Sequence, residues 1–429
     1  MTATVRPPGD KSISHRVLML APLAEGTTRV RGLLDAADVR ATARAVEALG
    51  APVPADWSGE ASLEGPARFR EPPGTIDCGN SGTTARILCG LVAGLGRAAV
   101  LDGDASLRAR PMDRVVYPLQ ALGAEIAYRG EEGRLPVELS SRATGSLRPL
   151  VHTPRVASAQ VKSSLLLAGL AGGVRVEVRE PGRSRDHTER LLEAMGAPLA
   201  WGPEGEGARA SLESPPDGEE RHRLEPLEMR VPGDASSAAF LAAAALLGGG
   251  PVRIEGVGLN PTRAAWIEVV RRMGGRLAVE ERGREAGEPV GDLVVEPSGL
   301  RGFEIGPGEV PRLLDEVPVL AVLAARAGGT STLRGAEELR VKESDRLALL
   351  AENLDRLGVA CREREDGLEI EGGDGPLSGR VRTGGDHRMA MAFGVLAAAG
   401  HGVEVDDPGC VAVSYPGFWD DLERLEAGR

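Results

Sequence analysis

Two kinds of helix alternate along the chain. The first is amphipathic. The segments VRATARAVEALG, VVYPLQALG, DHTERLLEAMG, AAWIEVVRRMGG and LLAENLDRLG place apolar residues at roughly i, i+3, i+4 and i+7, one face of a helix. Each closes on Leu-Gly or Met-Gly, at Gly50, Gly123, Gly196, Gly274 and Gly358, with gaps of 73, 73, 78 and 84 residues. A glycine just past an apolar stripe predicts a helix end, because it takes a positive φ without penalty. The second kind begins with small polar residues and then turns apolar almost all round: KSISHRVLMLAPLA, NSGTTARILCGLVA, SAQVKSSLLLAGLA, DASSAAFLAAAALL, VPVLAVLAARA and HRMAMAFGVLAAA. Those six are predicted to be buried. Short β-like runs lie between them, among them TRVRGL, RAAVLDG, VRVEVRE, PVRIEGV, DLVVEP and GLEIEGG.

This near-constant spacing predicts an α/β repeat of about 70–80 residues: buried helix, strand, amphipathic helix, strands. Six such units fit the 429 residues, and a chain this long exceeds a single core. Two domains of three units each are expected. The fourth unit opens at LEMRVPGDASSAAF, which puts a boundary near residue 228. The polar stretch before it, GPEGEGARASLESPPDGEERHR, is predicted to be a surface loop or hairpin.

Composition narrows the function. No apolar run reaches the ~18 residues of a membrane span, and MTATVRPPGDKS lacks the apolar core of a signal peptide. Four cysteines, at 78, 89, 361 and 410, match neither a zinc spacing nor a disulfide framework, so a reduced cytoplasmic protein is expected. A net charge of −12 disfavours a nucleic-acid partner. Only Lys11, Lys162 and Lys342 are lysines among 51 basic residues. Where Arg serves as the general cation, a retained Lys suggests a need for a compact, titratable ammonium. That reading favours a role for Lys11 and Lys342 and leaves Lys162 open.

The cations fall on helix starts. Lys11, Ser12 and Arg16 open the first buried helix; Gly82 and Arg86 lie in the second; Ser158, Gln160 and Lys162 open the third; Arg388 opens the last. Arg110, Arg185 and Arg346 precede Gly123, Gly196 and Gly358 by 13, 11 and 12 residues. A helix N-terminus already carries positive potential, so added Lys and Arg oppose stability. Together with free N–H groups they predict an anion site. Two acids stand among them: Asp315, in RLLDEVPVLAVLAA, and Glu343, in LRVKESDR. Asp386 is expected to be only a helix cap, and His387 a proton carrier or a positioning group.

These residues resemble a known family. PGDKSISHR, GNSGTTARIL, LRARPMDR, SAQVKSSLLLAGL, SRDHTERLL, PGDASSAAF, NPTR, DEVP, RVKESDR and DHRMAMAF occur in the order found in 5-enolpyruvylshikimate-3-phosphate synthases, nearly end to end. The resemblance implies two globular α/β domains, each of three βαβαββ units in an inside-out α/β barrel. They would span 11–227 and, discontinuously, 1–10 plus 228–429, with the active site in the cleft between them. It implies transfer of the enolpyruvyl group of phosphoenolpyruvate to the 5-hydroxyl of shikimate 3-phosphate, with release of phosphate, in aromatic amino acid biosynthesis. No metal and no cofactor are implied, and a monomer is expected. By resemblance, Lys11, Ser12, Arg16, Ser158, Ala159, Gln160, Arg185, Asp315 and Lys342 bind shikimate 3-phosphate. Lys11, Gly82, Arg110, Gln160, Arg346 and Arg388 bind phosphoenolpyruvate. Two positions depart from some members: Val413 stands in place of a Lys, and Glu338 in place of an Asn. Gly82 stands where some members tolerant of the inhibitor glyphosate have Ala.

The chemistry requires an acid, a base and anion stabilisation. Asp315 is the expected base toward the 5-hydroxyl. Glu343 is the expected acid toward the methylene carbon, with Lys11 as the rival donor and a charge stabiliser. Facing cations should hold the two domains open until shikimate 3-phosphate closes them. Two alternatives stay in view. The sister enzyme that enolpyruvylates UDP-N-acetylglucosamine typically carries a loop Cys where residues 102–116 here read DGDASLRARPMDRVV. A non-catalytic anion-binding repeat protein would need the cations without the two acids.

Overall fold

The computed structural model describes residues 3–427 except 144, 217, 218 and 220. It contains α1 (Lys11–Leu20), α2 (Ala37–Ala48), α3 (Gly82–Leu95), α4 (Ala105–Arg108), α5 (Asp113–Leu122), α6 (Ala159–Gly172) and α7 (His187–Ala194). Further along the chain come α8 (Ala235–Ala244), α9 (Ala265–Arg272), α10 (Val317–Ala325), α11 (Arg346–Arg356), α12 (His387–Ala398) and α13 (Phe418–Ala427). The buried series expected from the pattern is α1, α3, α6, α8, α10 and α12. The amphipathic series is α2, α5, α7, α9 and α11, each followed by its glycine at φ between 76° and 108°. A sixth amphipathic helix, α13, lacks the Leu-Gly ending and so escaped the pattern.

Small sheets accompany the helices, and three share one order. Strands Ile76–Asp77, Ala99–Asp102, Val137–Leu139 and Ile126–Tyr128 lie side by side in that sequence, the first pair parallel and the others antiparallel. The second set is Leu150–His152, Val176–Glu180, Gly207–Leu212 and Leu199–Glu204. The third is Glu304–Ile305, Gly329–Leu333, Gly367–Gly372 and Cys361–Arg364. Each is one βαβαββ unit.

Two units exchange their opening strands. Ala3–Val5 pairs in parallel with Val252–Gly258 and completes the sheet of the fourth unit. Glu228–Arg230 pairs in parallel with Gly26–Arg31 and completes that of the first. The chain divides into two compact units: Lys11–Val231 with Glu285–Gly287, and Met1–Asp10 with Pro232–Arg284 and Glu288–Arg429.

Each unit has its own core. In 11–231, Leu18, Leu88, Leu91, Val116, Leu166 and Trp57 are buried together. In the other, Phe240, Trp266, Leu323, Met391, Phe393 and Phe418 do the same. Burying each such side chain stabilises by about 1.5–3 kcal/mol. Helices α3 and α6 approach closely because Gly90 and Gly94 face α6. A Cβ on Gly90 would lie 1.9 Å from the Ser164 carbonyl oxygen, so any side chain there would part the helices. That contact fixes the starts of α3 and α6 beside each other. Among the described residues no helix is long and apolar enough to cross a membrane.

Candidate active site

In the unit 11–231, the expected site residues gather at the starts of α1, α3 and α6. Ser81 caps α3, its Oγ accepting from the Thr84 N–H at 3.1 Å. Gly82 follows as the first helical residue. Arg86, one turn on, donates to Gln160 Oε1 at 2.8 Å and to the Pro111 carbonyl at 3.0 Å. Gln160 answers from its other end, Nε2 donating to Thr83 Oγ1 at 3.0 Å. Arg110, in the turn after α4, donates to Asn80 Oδ1 at 2.6 Å and to Ser106 Oγ at 3.2 Å. A Cβ on Gly82 would stand 3.1 Å from Arg86 Nη1 and 3.5 Å from Arg110 Nη1. Gly82, Arg86, Arg110 and Gln160 therefore form one cluster, at helix ends whose N–H groups also favour anions.

Lys11, the first residue of α1, pairs with Asp38 of α2 at 3.1 Å. Arg16 is buried, and its three nitrogens donate to Thr188 Oγ1 (2.6 Å), the Ser12 carbonyl (2.8 Å) and Ser163 Oγ (2.9 Å). Ser12 is thus tied to Arg16 through its backbone. A buried chain of hydroxyls joins the same helices: His15 Nδ1 to Thr42 Oγ1 at 2.6 Å, Thr42 to Thr84 at 2.6 Å, and Thr84 to Ser81 Oγ at 2.7 Å. Burial, with Lys11 and Arg16 nearby, pushes the His15 imidazole well below its usual pKa.

Ser158 caps α6 and Ala159 is its first residue. The Ser158 N–H donates to Glu180 Oε1 at 2.8 Å. Arg185 is half-buried in the segment before α7. Lys162 points inward, 3% exposed, and pairs with Glu180 and Glu189, each at 2.7 Å. Its role, open from sequence, is that of a buried ion pair within this unit.

The second unit carries the acids. Arg346, the first residue of α11, is 1% exposed and meets three carboxylates: Glu343 at 2.7 Å, Asp386 at 2.8 Å and Asp315 at 3.5 Å. Burial opposes its charge, yet Asp386 and Glu343 outweigh that and raise its pKa. Arg388 approaches Asp315 from the other side, Nη2 at 3.3 Å from Oδ2, and Nη1 donates to the Asp315 carbonyl at 2.9 Å. Lys342 pairs with Glu338 at 2.8 Å, so the acid that stands in place of an Asn holds this lysine. Asp386 is more than the cap expected of it. It accepts from the Arg388 N–H at 2.9 Å and also from Arg346 and Ser344. Although burial raises its pKa, Arg346 and His387 bring it below the usual carboxylate value. His387 is buried, its Nδ1 4.0 Å from Asp386. Val413 lies half-buried in the turn Pro408–Val413.

Sequence reasoning passed over Asp38 and Glu180. Asp38 looks like an ordinary first-turn acid of α2, and nothing in one sequence separates it from that. Glu180 could have been sought, since a Lys inside an apolar helix demands a buried acid.

The fold is that of the enolpyruvyl transferases: the enolpyruvyl transferase NikO from Streptomyces tendae superposes with a TM-score of 0.75 at 21% identity, covering 99% of this chain and 95% of that one. Within that class the relationship is closer. An EPSP synthase from Acinetobacter baumannii superposes with a TM-score of 0.84 at 38% identity, over 99% of this chain and 95% of that one. The 3-phosphoshikimate 1-carboxyvinyltransferases of a Thermus thermophilus strain and a Synechococcus strain are 48% and 47% identical, over 98% and 99% of this chain and 96% of each relative. The family model described as EPSP synthase (3-phosphoshikimate 1-carboxyvinyltransferase) matches residues 1–422, and the chain belongs to that family.

Proposed function

We propose that this chain transfers the enolpyruvyl group of phosphoenolpyruvate to the 5-hydroxyl of shikimate 3-phosphate, releasing phosphate, as a step of aromatic amino acid biosynthesis. The observation that carries the reading is Asp315, a carboxylate held between Arg346 and Arg388 in a chain that matches EPSP synthases over residues 1–422.

The residues take the following parts. Arg110, Arg346, Arg388, Gln160 and the backbone at Gly82 hold phosphoenolpyruvate. Ser12, Arg16, Ser158, Ala159, Gln160, Arg185 and Lys342 hold shikimate 3-phosphate, and Lys11 touches both. Arg86 orients Gln160. Asp315 takes the proton of the 5-hydroxyl as its oxygen bonds to the central carbon of phosphoenolpyruvate. The methylene carbon gains a proton in the same step and becomes a methyl group. Glu343, ionised against Arg346 in the free chain, is the donor once bound substrate raises its pKa and protonates it, with Lys11 as the alternative. The tetrahedral adduct then returns a methyl proton to the group that donated it, now deprotonated, and expels phosphate, restoring the carbon–carbon double bond. Cations around the phosphate stabilise the departing charge. Written this way, the reaction needs no metal or redox cofactor.

A cytoplasmic monomer is part of the same reading, and sedimentation tests its state. The decisive experiment mixes the protein with phosphoenolpyruvate and shikimate 3-phosphate and follows phosphate release. Release with UDP-N-acetylglucosamine instead would point to the sister reaction. Release from neither mixture would leave an anion-binding protein.

A further inference from the structure

Lys162 is a lysine inside an otherwise apolar helix. It is fully enclosed, and its two carboxylate partners come from different elements: Glu180 ends strand Val176–Glu180, and Glu189 lies in the first turn of α7. Glu180 is the hub. Its Oε1 accepts the Ser158 N–H at 2.8 Å. Its Oε2 accepts Lys162 Nζ at 2.7 Å and Ser184 Oγ at 2.8 Å. One buried acid therefore ties the start of α6 to the segment whose next residue is Arg185. Glu180 is 5% exposed, so water offers little substitute for these bonds.

We propose that Lys162 is a positioning residue for the phosphate-bearing substrate: through Glu180 it fixes the Ser158 backbone and the Ser184–Arg185 segment in one arrangement. The proposal rests on the reading that Ser158, Ala159 and Arg185 hold shikimate 3-phosphate. Without the ammonium, Glu180 is a buried charge with fewer donors, and it would turn toward water and release Ser158 and Ser184. A methionine at 162 keeps roughly the volume of the side chain and removes the ammonium with its bonds to Glu180 and Glu189. Its effect should fall on recognition of the phosphate rather than on the ring or on phosphoenolpyruvate.

The test uses full-length Lys162→Met and Ser184→Ala proteins, titrated calorimetrically with shikimate 3-phosphate and with unphosphorylated shikimate. Steady-state KM and kcat are measured beside the titrations. Lys162→Met should weaken shikimate 3-phosphate about ten- to a hundredfold, and Ser184→Ala about fivefold, as expected for losing an ion pair at Glu180 and for losing one hydroxyl bond to the same carboxylate. Shikimate binding and the KM for phosphoenolpyruvate should move by no more than about twofold, a split that general loosening does not produce. Equal losses for shikimate and its phosphate would overturn the proposal, as would unchanged affinity. If Lys162→Met does not fold, Ser184→Ala decides alone by the same criteria. Wild-type protein that releases no phosphate from the substrate pair overturns the functional reading and this inference with it. Normal wild-type turnover with unshifted variants overturns the inference alone.

Discussion

The cations of the two units keep different company. In 11–231, Arg16, Arg86 and Arg110 donate to hydroxyls, amides and carbonyls. Such bonds aim a guanidinium in a fixed direction, while the two lysines of this unit meet acids: Lys11 meets Asp38, and Lys162 meets Glu180 and Glu189. In the other unit, Arg346 and Arg388 meet Asp315, Glu343 and Asp386, and Lys342 meets Glu338. The first arrangement suits holding an anion. The second interleaves acids and bases, as proton transfer requires. The same helix-start position thus serves two ends, and the side chains around it decide which.

Four variants would break or sharpen that contrast. The largest effect is expected from Asp386→Ala, which leaves Arg346 buried without its closest enclosed partner. Loss of one member of such a pair costs about 3–5 kcal/mol, readable by urea denaturation. Similar stability to wild type would show that Arg346 is not balanced as described. Lys11→Ala should lower kcat about 10²–10⁴-fold with stability little changed, because it removes a charge aimed at substrate. Near-normal kcat would remove Lys11 from the chemistry. Gly82→Ala places a methyl against Arg86 and Arg110. It should raise the KM for phosphoenolpyruvate about tenfold and leave shikimate 3-phosphate nearly unaffected, a loss comparable to one misdirected hydrogen bond. Equal changes for both substrates would detach Gly82 from the guanidinium cluster.

The smallest effect concerns pH. His15 is held neutral in the folded chain, whereas unfolded His titrates near the usual 6.5. Stability is therefore full above pH 6.5 and is lost as pH falls from there toward the depressed folded value, at up to about 1.4 kcal/mol per pH unit. His15→Asn should flatten this acid arm between roughly pH 6.5 and 5.5 in denaturation curves, since Asn carries no titrating proton. An arm of unchanged slope would place the titration elsewhere.

What the chain discloses by itself follows from periodicity. The helix-ending glycines and six apolar segments are local signals repeated at near-constant intervals, so the α/β repeat is legible. The strands Ala3–Val5 and Glu228–Arg230 are three residues long and carry no readable period, and their partners lie about 250 and about 200 residues away. The candidate cations were visible because Lys and Arg oppose the helix dipole. The acids that balance them, Asp38 and Glu180, were not, since each looks locally ordinary. Asp386 shows the limit well. Its capping bond is written in the sequence two residues ahead of Arg388, whereas its pairing with Arg346 spans 40 residues of chain.

The exchanged strands also set a timetable for synthesis. A ribosome delivers Ala3–Val5 first, yet its neighbour, Val252–Gly258, emerges about 250 residues later. At roughly 5–20 residues per second, that is a wait of about 12–50 s with an unpaired strand in solution. The strand Glu228–Arg230, by contrast, finds Gly26–Arg31 already made. The half made first can therefore finish folding while the opening strand is still a loose tether, and that tether is captured only once the later half appears. Its shortness, with Pro7 and Pro8 following, keeps it a poor template for aggregation during the delay.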